Sequence, residues 1–133
     1  MEMLNPSDNI DRLVSLINQA EKFVVMVSPF TNLQGWDHLR EAIVKAVERG
    51  VDLSYYVRGG EGRKGLEGLN IRVFEVCSLH AKLFFSEKEA MITSFHLLYN
   101  EDINWACIPA FPEEYRELVR FFEDHLKPVA VEV

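Results

Sequence analysis

Cysteine is scarce in this chain, with Cys77 and Cys107 standing alone among 133 residues. They are too few and too isolated for a disulfide framework, and neither belongs to a C-x-x-C pair that would offer zinc a thiolate site. Both are expected to be reduced thiols, as in a cytoplasmic protein. Long apolar runs are missing as well. None approaches the roughly 20 residues of a membrane-spanning helix, so no transmembrane segment is expected. The opening Met-Glu-Met-Leu-Asn-Pro lacks the basic stretch and apolar run of a secretory leader. Basic residues are outnumbered, 14 against 21 acidic, for a net charge of −7. A field of that sign repels polyanions, so contact with nucleic acid or anionic lipid requires a local basic patch. Repeats, low-complexity tracts and linkers are absent. What is present is ordinary for one globular core, with 48% hydrophobic and 26% charged residues. Residues 1–133 read as one domain.

Hydrophobic periodicity predicts a helix over residues 7–20, with Ser7 and Asp8 as capping candidates and Ile10, Leu13, Val14 and Ile17 at helical spacing. The run Phe-Val-Val-Met-Val within residues 22–28 suits a strand buried on both faces. A loop with Thr31 and Asn32 follows. A second helix is expected over 36–49, stopped by Gly50, and a second strand over 51–57. Residues 58–68 read as a loop rich in glycine and charge. Strands are expected over 71–76, 79–85, 90–97 and 103–109, with a tight turn at Ser86 to Glu89. A last amphipathic helix covers 112–126, and the tail is a frayed end or an edge strand. The order is β-α-β early and hairpin-like late. It predicts an α/β domain: a mixed sheet with helices on both faces.

The informative stretch is Leu79-His80-Ala81-Lys82-Leu83-Phe84-Phe85, then the turn, then Met91-Ile92-Thr93-Ser94-Phe95-His96-Leu97. On a strand, residues i and i+2 share a face, so His80 and Lys82 are expected side by side. Ser94 and His96 are expected to pair in the same way on the partner strand. A hairpin register symmetric about Glu87 and Lys88 brings the two pairs near each other. Imidazole, ammonium and hydroxyl groups clustered in this way suit an anion with several oxygens, such as a phosphate diester. A strand edge showing the same residues to solvent is the plain alternative, and spacing alone does not separate the two.

His-x-Lys, a hairpin and a small-Ser strand together resemble the His-Lys-Asp signature of the phospholipase D superfamily. The resemblance extends over nearly the whole chain: the helix–strand opening, the loop after Val-Ser-Pro-Phe, the glycine-rich loop and the final helix. It implies a single-motif phospholipase D-like domain. By this likeness His80 is the expected nucleophile and Lys82 the expected phosphate-oxygen ligand. Ser94, His96 and Thr93 are the expected phosphate contacts. The chain departs from the pattern at three places. Glu87 stands near the usual aspartate, in a hairpin one residue short. His96 replaces the usual asparagine. Asn104, with Glu101 and Asp102 beside it, stands nearest the acidic residue that orients the histidine.

Members of that family assemble one site from two motifs, and this chain has one. The resemblance therefore implies a homodimer that pairs two His80 and two Lys82. It implies a metal-independent phosphodiesterase acting through a phosphohistidine, with no cofactor, on nucleic acid rather than phospholipid. A catalytically silent binding or assembly module is the alternative.

Other candidates are weaker. Arg58-Gly59-Gly60-Glu61-Gly62-Arg63-Lys64-Gly65 fails the phosphate-loop pattern because Gly65 follows Lys64. A flexible surface loop is expected there, although Arg58, Arg63 and Lys64 form the best local basic patch for a phosphate backbone. His38 beside Asp37 and Arg40 reads as a solvated helix face. His125 suits a helix C-terminus. Cys77 lacks the third group that a Cys-His pair needs.

Overall fold

The computed structural model describes residues 1–61, 63–98 and 102–133. In chain order the elements are β1 (Glu2–Met3), α1 (Asn9–Gln19), β2 (Phe23–Val27), β3 (Thr31–Asn32), α2 (Asp37–Glu48), β4 (Asp52–Arg58), β5 (Arg63–Lys64), β6 (Arg72–Val76), β7 (Leu83–Ser86), β8 (Ala90–Thr93), β9 (Leu97–Leu98), β10 (Ala106–Ile108), α3 (Pro112–Phe121) and β11 (Val131–Glu132). The main sheet runs β1-β10-β8-β7-β2-β4-β6-β11. Strands β2, β4 and β6 are mutually parallel, and β7, β8, β10, β1 and β11 pair antiparallel to their neighbours. The sheet is mixed, as expected.

The continuous apolar run of β2 explains its central place. Val24 and Met26 pack on one face with Leu13, Leu16 and Ile17 of α1 and Leu39, Ile43 and Ala46 of α2. Val25 and Val27 pack on the other face with Tyr115, Leu118 and Val119 of α3. Helices thus cover both faces. Each fully buried leucine contributes roughly 1.5–3 kcal/mol, so a single truncation such as Leu16→Ala costs about 2–5 kcal/mol.

Two helix ends differ from expectation. The cap before α1 is Asn5, whose side chain accepts from Ser7 N at 3.1 Å, and a 3-10 turn at Pro6–Asp8 delays the helix to Asn9. After Phe121 the last helix widens into a π-helical turn, Phe122–Leu126, which keeps Phe122 and Leu126 buried. The tail forms the edge strand β11, against β6.

Three expected strands are shorter than read. The segment from Leu79 becomes a ladder only at Leu83, because Ser78 turns the chain with φ +59°. The segment from Ala90 stops at Thr93, whose hydroxyl donates to the Phe95 carbonyl at 3.0 Å and bends the chain at Ser94. The last of these strands spans Ala106–Ile108.

The region expected to be a flexible loop holds β5, which joins β3 and β9 in a second, three-stranded parallel sheet. Arg40 fixes it by donating to the carbonyls of Gly65 and Glu67, each at 3.2 Å. Gly65 is required: its φ is +89°, and a Cβ there would lie 2.7 Å from Leu33 Cβ. Gly62 lies outside the described residues.

Candidate functional site

The parallel strands β2, β4 and β6 end on one side of the sheet, where β7 begins and β8 ends. The crevice beyond strand C-termini is where open α/β sheets take ligands. His80 and Lys82 lie in the extended segment just before β7. His80 is exposed and Lys82 is half-buried.

The hairpin register is Leu83 opposite Ile92, Phe84 opposite Met91 and Phe85 opposite Ala90. It is centred between Glu87 and Lys88, as expected. Thr93 N donates to Lys82 O at 3.2 Å, which carries the ladder one step further. Lys82 is therefore level with Thr93.

His96 joins His80. Their ring centroids are 6.3 Å apart at an interplanar angle of 61°. On its other side the His96 ring meets Phe30 edge-on at 4.8 Å. Burial first, then the positive charges of Lys82 and His80, hold the His96 pKa below the usual imidazole value. The imidazole is thus neutral near pH 7. Its Nδ1 is buried with no hydrogen-bond partner among the described residues.

The loop after β2 supports this arrangement. Ser28 Oγ donates to the Phe30 carbonyl at 3.0 Å and accepts from Leu97 N at 2.8 Å. Thr31 Oγ1 donates to the buried Tyr55 Oη at 2.9 Å. Burial drives the Tyr55 phenol far above its usual pKa, despite its hydrogen bonds to Thr31 and Ser28, so it braces the loop and does not exchange protons. Sequence reading missed Ser28 and Phe30. Their place, directly after a buried parallel strand, was the available signal.

Ser94 binds toward β10. Its hydroxyl donates to Asn104 Oδ1 at 3.1 Å and accepts from Trp105 N at 2.9 Å, while Ser94 N donates to Trp105 O at 3.0 Å. Asn104 is held in turn, with Nδ2 donating to the Asp102 carbonyl at 3.2 Å. It orders Ser94, and its side-chain hydrogen bonds among the described residues run to Ser94 and Asp102. Glu101 lies outside the described residues. Thr93 is buried with its hydroxyl committed to Phe95, so its role is to shape the Ser94 bend.

Of the basic patch, Arg58 ends β4 and its N donates to the Pro29 carbonyl at 3.1 Å, at the same end of the sheet. Arg63 and Lys64 sit in register with Thr31 and Asn32, which in turn pair with Leu97 and Leu98. Their backbone thus runs one strand away from the Phe30 loop.

Glu87 is elsewhere. It stands at the turn end of the hairpin, roughly 15 Å of extended chain from Lys82. Its carboxylate accepts from the backbone N of Glu21 at 2.8 Å and of Lys22 and Phe23 at 3.2 Å each. Partial burial works against the charge, but these hydrogen bonds prevail and lower its pKa to about 2. Glu87 anchors the start of β2 and takes no part in the site.

Among the described residues no group of three metal-ligating side chains converges. No helix of the described residues is long and apolar enough to cross a membrane.

No family model and no curated protein matches the sequence. Solved structures do. The fold is similar to that of Nuc, a phospholipase D family member from Salmonella typhimurium, with a TM-score of 0.75 and 16% identity over 99% of this chain and 95% of that one. NucT from Helicobacter pylori aligns with a TM-score of 0.77 and 12% identity over 99% and 98%. TrmBL2, an archaeal chromatin protein with a novel mode of DNA binding, aligns at 0.65 and 12% identity over all of this chain and 54% of its own. The chain has the phospholipase D fold.

Proposed function

We propose that this phospholipase D-type domain is a metal-independent phosphodiesterase, nuclease-like in its substrate class, that works as a homodimer. The observation that carries the reading is the convergence of His80, Lys82 and His96 at the C-terminal end of the parallel strands, on a fold shared with Nuc along nearly its full length.

In the proposed reaction a ring nitrogen of one His80 attacks phosphorus. An N–P bond forms and the P–O bond to the leaving group breaks. The partner subunit's His80 gives its proton to the departing oxygen. That histidine then takes a proton from water, whose oxygen attacks phosphorus. The N–P bond breaks and a phosphomonoester leaves. Lys82 stabilises charge on the non-bridging oxygens, and Ser94 and His96 border the same anion. The exposed Trp105, 46% accessible and hydrogen-bonded through its backbone to Ser94, and the exposed Ile103, 88% accessible, suit an interface with the second copy. The net charge of −7 restricts nucleic-acid contact to a local patch, for which Arg58, Arg63 and Lys64 are the candidates.

The engagement of Asn104 with Ser94 and Asp102, where the likeness implies a carboxylate partner for His80, favours a second reading: a silent binding module that keeps the fold. A chromogenic diester assay in excess EDTA separates the two. Turnover that survives the chelator and is abolished in a folded His80→Ala variant supports the enzyme. Equal rates in wild type and variant support the silent module.

A further inference from the structure

His96 occupies the position where the resemblance implies an asparagine, and its surroundings fix what an imidazole can do there. Its Nδ1 is buried and has no hydrogen-bond partner among the described residues. The ring as a whole is only half-buried. Phe30 closes one side at 4.8 Å, and the exposed His80 faces it at 6.3 Å. Lys82 and His80, from the segment before β7, are the charged and titratable groups that act on it. Phe30, from the loop after β2, contributes no charge.

A neutral imidazole carries one N–H and one bare nitrogen. Buried N–H groups without an acceptor are rarer than unpaired acceptors, so the proton belongs on the nitrogen that is not sealed in. With Nδ1 inside, that nitrogen is Nε2 on the outward edge of the ring.

We infer that His96 is an anion-contacting residue held as the neutral Nε2–H tautomer, a single donor beside His80 to an oxyanion held by Lys82. This deepens the phosphodiester reading above and rests on it for the identity of the anion. It explains how histidine can stand in for an amide: each offers one uncharged N–H at that spot. A neutral donor also leaves the proton needed for leaving-group departure to the His80 pair. The lowered pKa of His96, caused by burial and then by Lys82 and His80, supports the neutral form.

Two measurements test it. Long-range proton–nitrogen NMR on the labelled protein, assigned with His96→Asn, reads both ring nitrogens of His96 from about pH 8 to about pH 5.5, across the ordinary imidazole range. The expected result is a bare Nδ1 and a protonated Nε2 that persist below the pH at which a free imidazole has gained its proton. A proton on Nδ1, or titration at the ordinary imidazole pH, overturns the inference.

The second measurement is inorganic phosphate affinity by calorimetry, with folding checked by thermal melts. His96→Asn is expected within about twofold of wild type, and His96→Leu about fivefold weaker, the worth of one neutral hydrogen bond. Equal affinity in all three proteins overturns the donor role. Wild type that binds no phosphate overturns that role together with the phosphodiester reading, whereas a wrong tautomer with normal phosphate binding overturns this inference alone.

Discussion

The carboxylate of Glu87 accepts hydrogen bonds from three consecutive backbone N–H groups, beginning with Glu21 N at 2.8 Å and 66 residues away in the chain. This ties the hairpin turn to the first residues of the central strand. The hairpin carries His80 and Lys82 at its other end, so the contact sets the height at which the site's two strands enter the sheet.

That contact has a pH signature. The Glu87 pKa is lowered to about 2 in the folded protein, against roughly 4.3 for an unperturbed glutamate. A depressed carboxylate stabilises the fold above its unfolded pKa, and that contribution is lost as pH falls from about 4.3 toward 2. Glu87→Gln is expected to cost about 1–2 kcal/mol at neutral pH, allowing for solvent screening of a partly exposed group. Urea melts of both proteins at several pH values check this: the gap should close toward pH 2. A gap independent of pH would show that the charge is not the source.

Lys82 places a positive charge where it acts on His96. Lys82→Ala is expected to weaken inorganic phosphate binding roughly tenfold, or about 1.4 kcal/mol, without changing the melting temperature appreciably. Unchanged affinity by calorimetry would place the anion elsewhere.

Much of this arrangement could be read from the residues. The uninterrupted Phe23–Val27 run announced a strand buried on both faces, and the stripes of α1, α2 and α3 announced helices to cover it. The hairpin centre between Glu87 and Lys88 followed from the turn residues. The second sheet was not legible, because strands of two residues such as Thr31–Asn32 carry no period and are held by side-chain contacts from Ser28 and Arg40. The bend at Ser94 depends on a Thr93 hydroxyl that sequence reading assigned to phosphate. Glu87 was read as a displaced member of the His-Lys motif, although its partners at 21–23 are backbone groups that no spacing rule reaches. His96 looked like a departure from an amide, and its buried Nδ1 and Phe30 contact became visible only in three dimensions.

One motif per chain, with Trp105 exposed and hydrogen-bonded through its backbone to Ser94, is the ground for the proposed dimer. Sedimentation is expected to give about twice the 15.4 kDa of one chain. Trp105→Asp should shift the protein to monomer and lower diesterase activity in parallel, since in the proposed dimer each site takes a histidine from its neighbour. A wild type that stays monomeric at high concentration would remove the shared site.

The most direct measurement is acid-free mass spectrometry of the protein quenched during turnover of a diester in EDTA. The expected result is a phosphoryl adduct on the His80 peptide that is labile to acid, stable to base and missing from His80→Ala. Turnover with no adduct on His80 under rapid quench, or an adduct on another residue, would contradict His80 as the nucleophile.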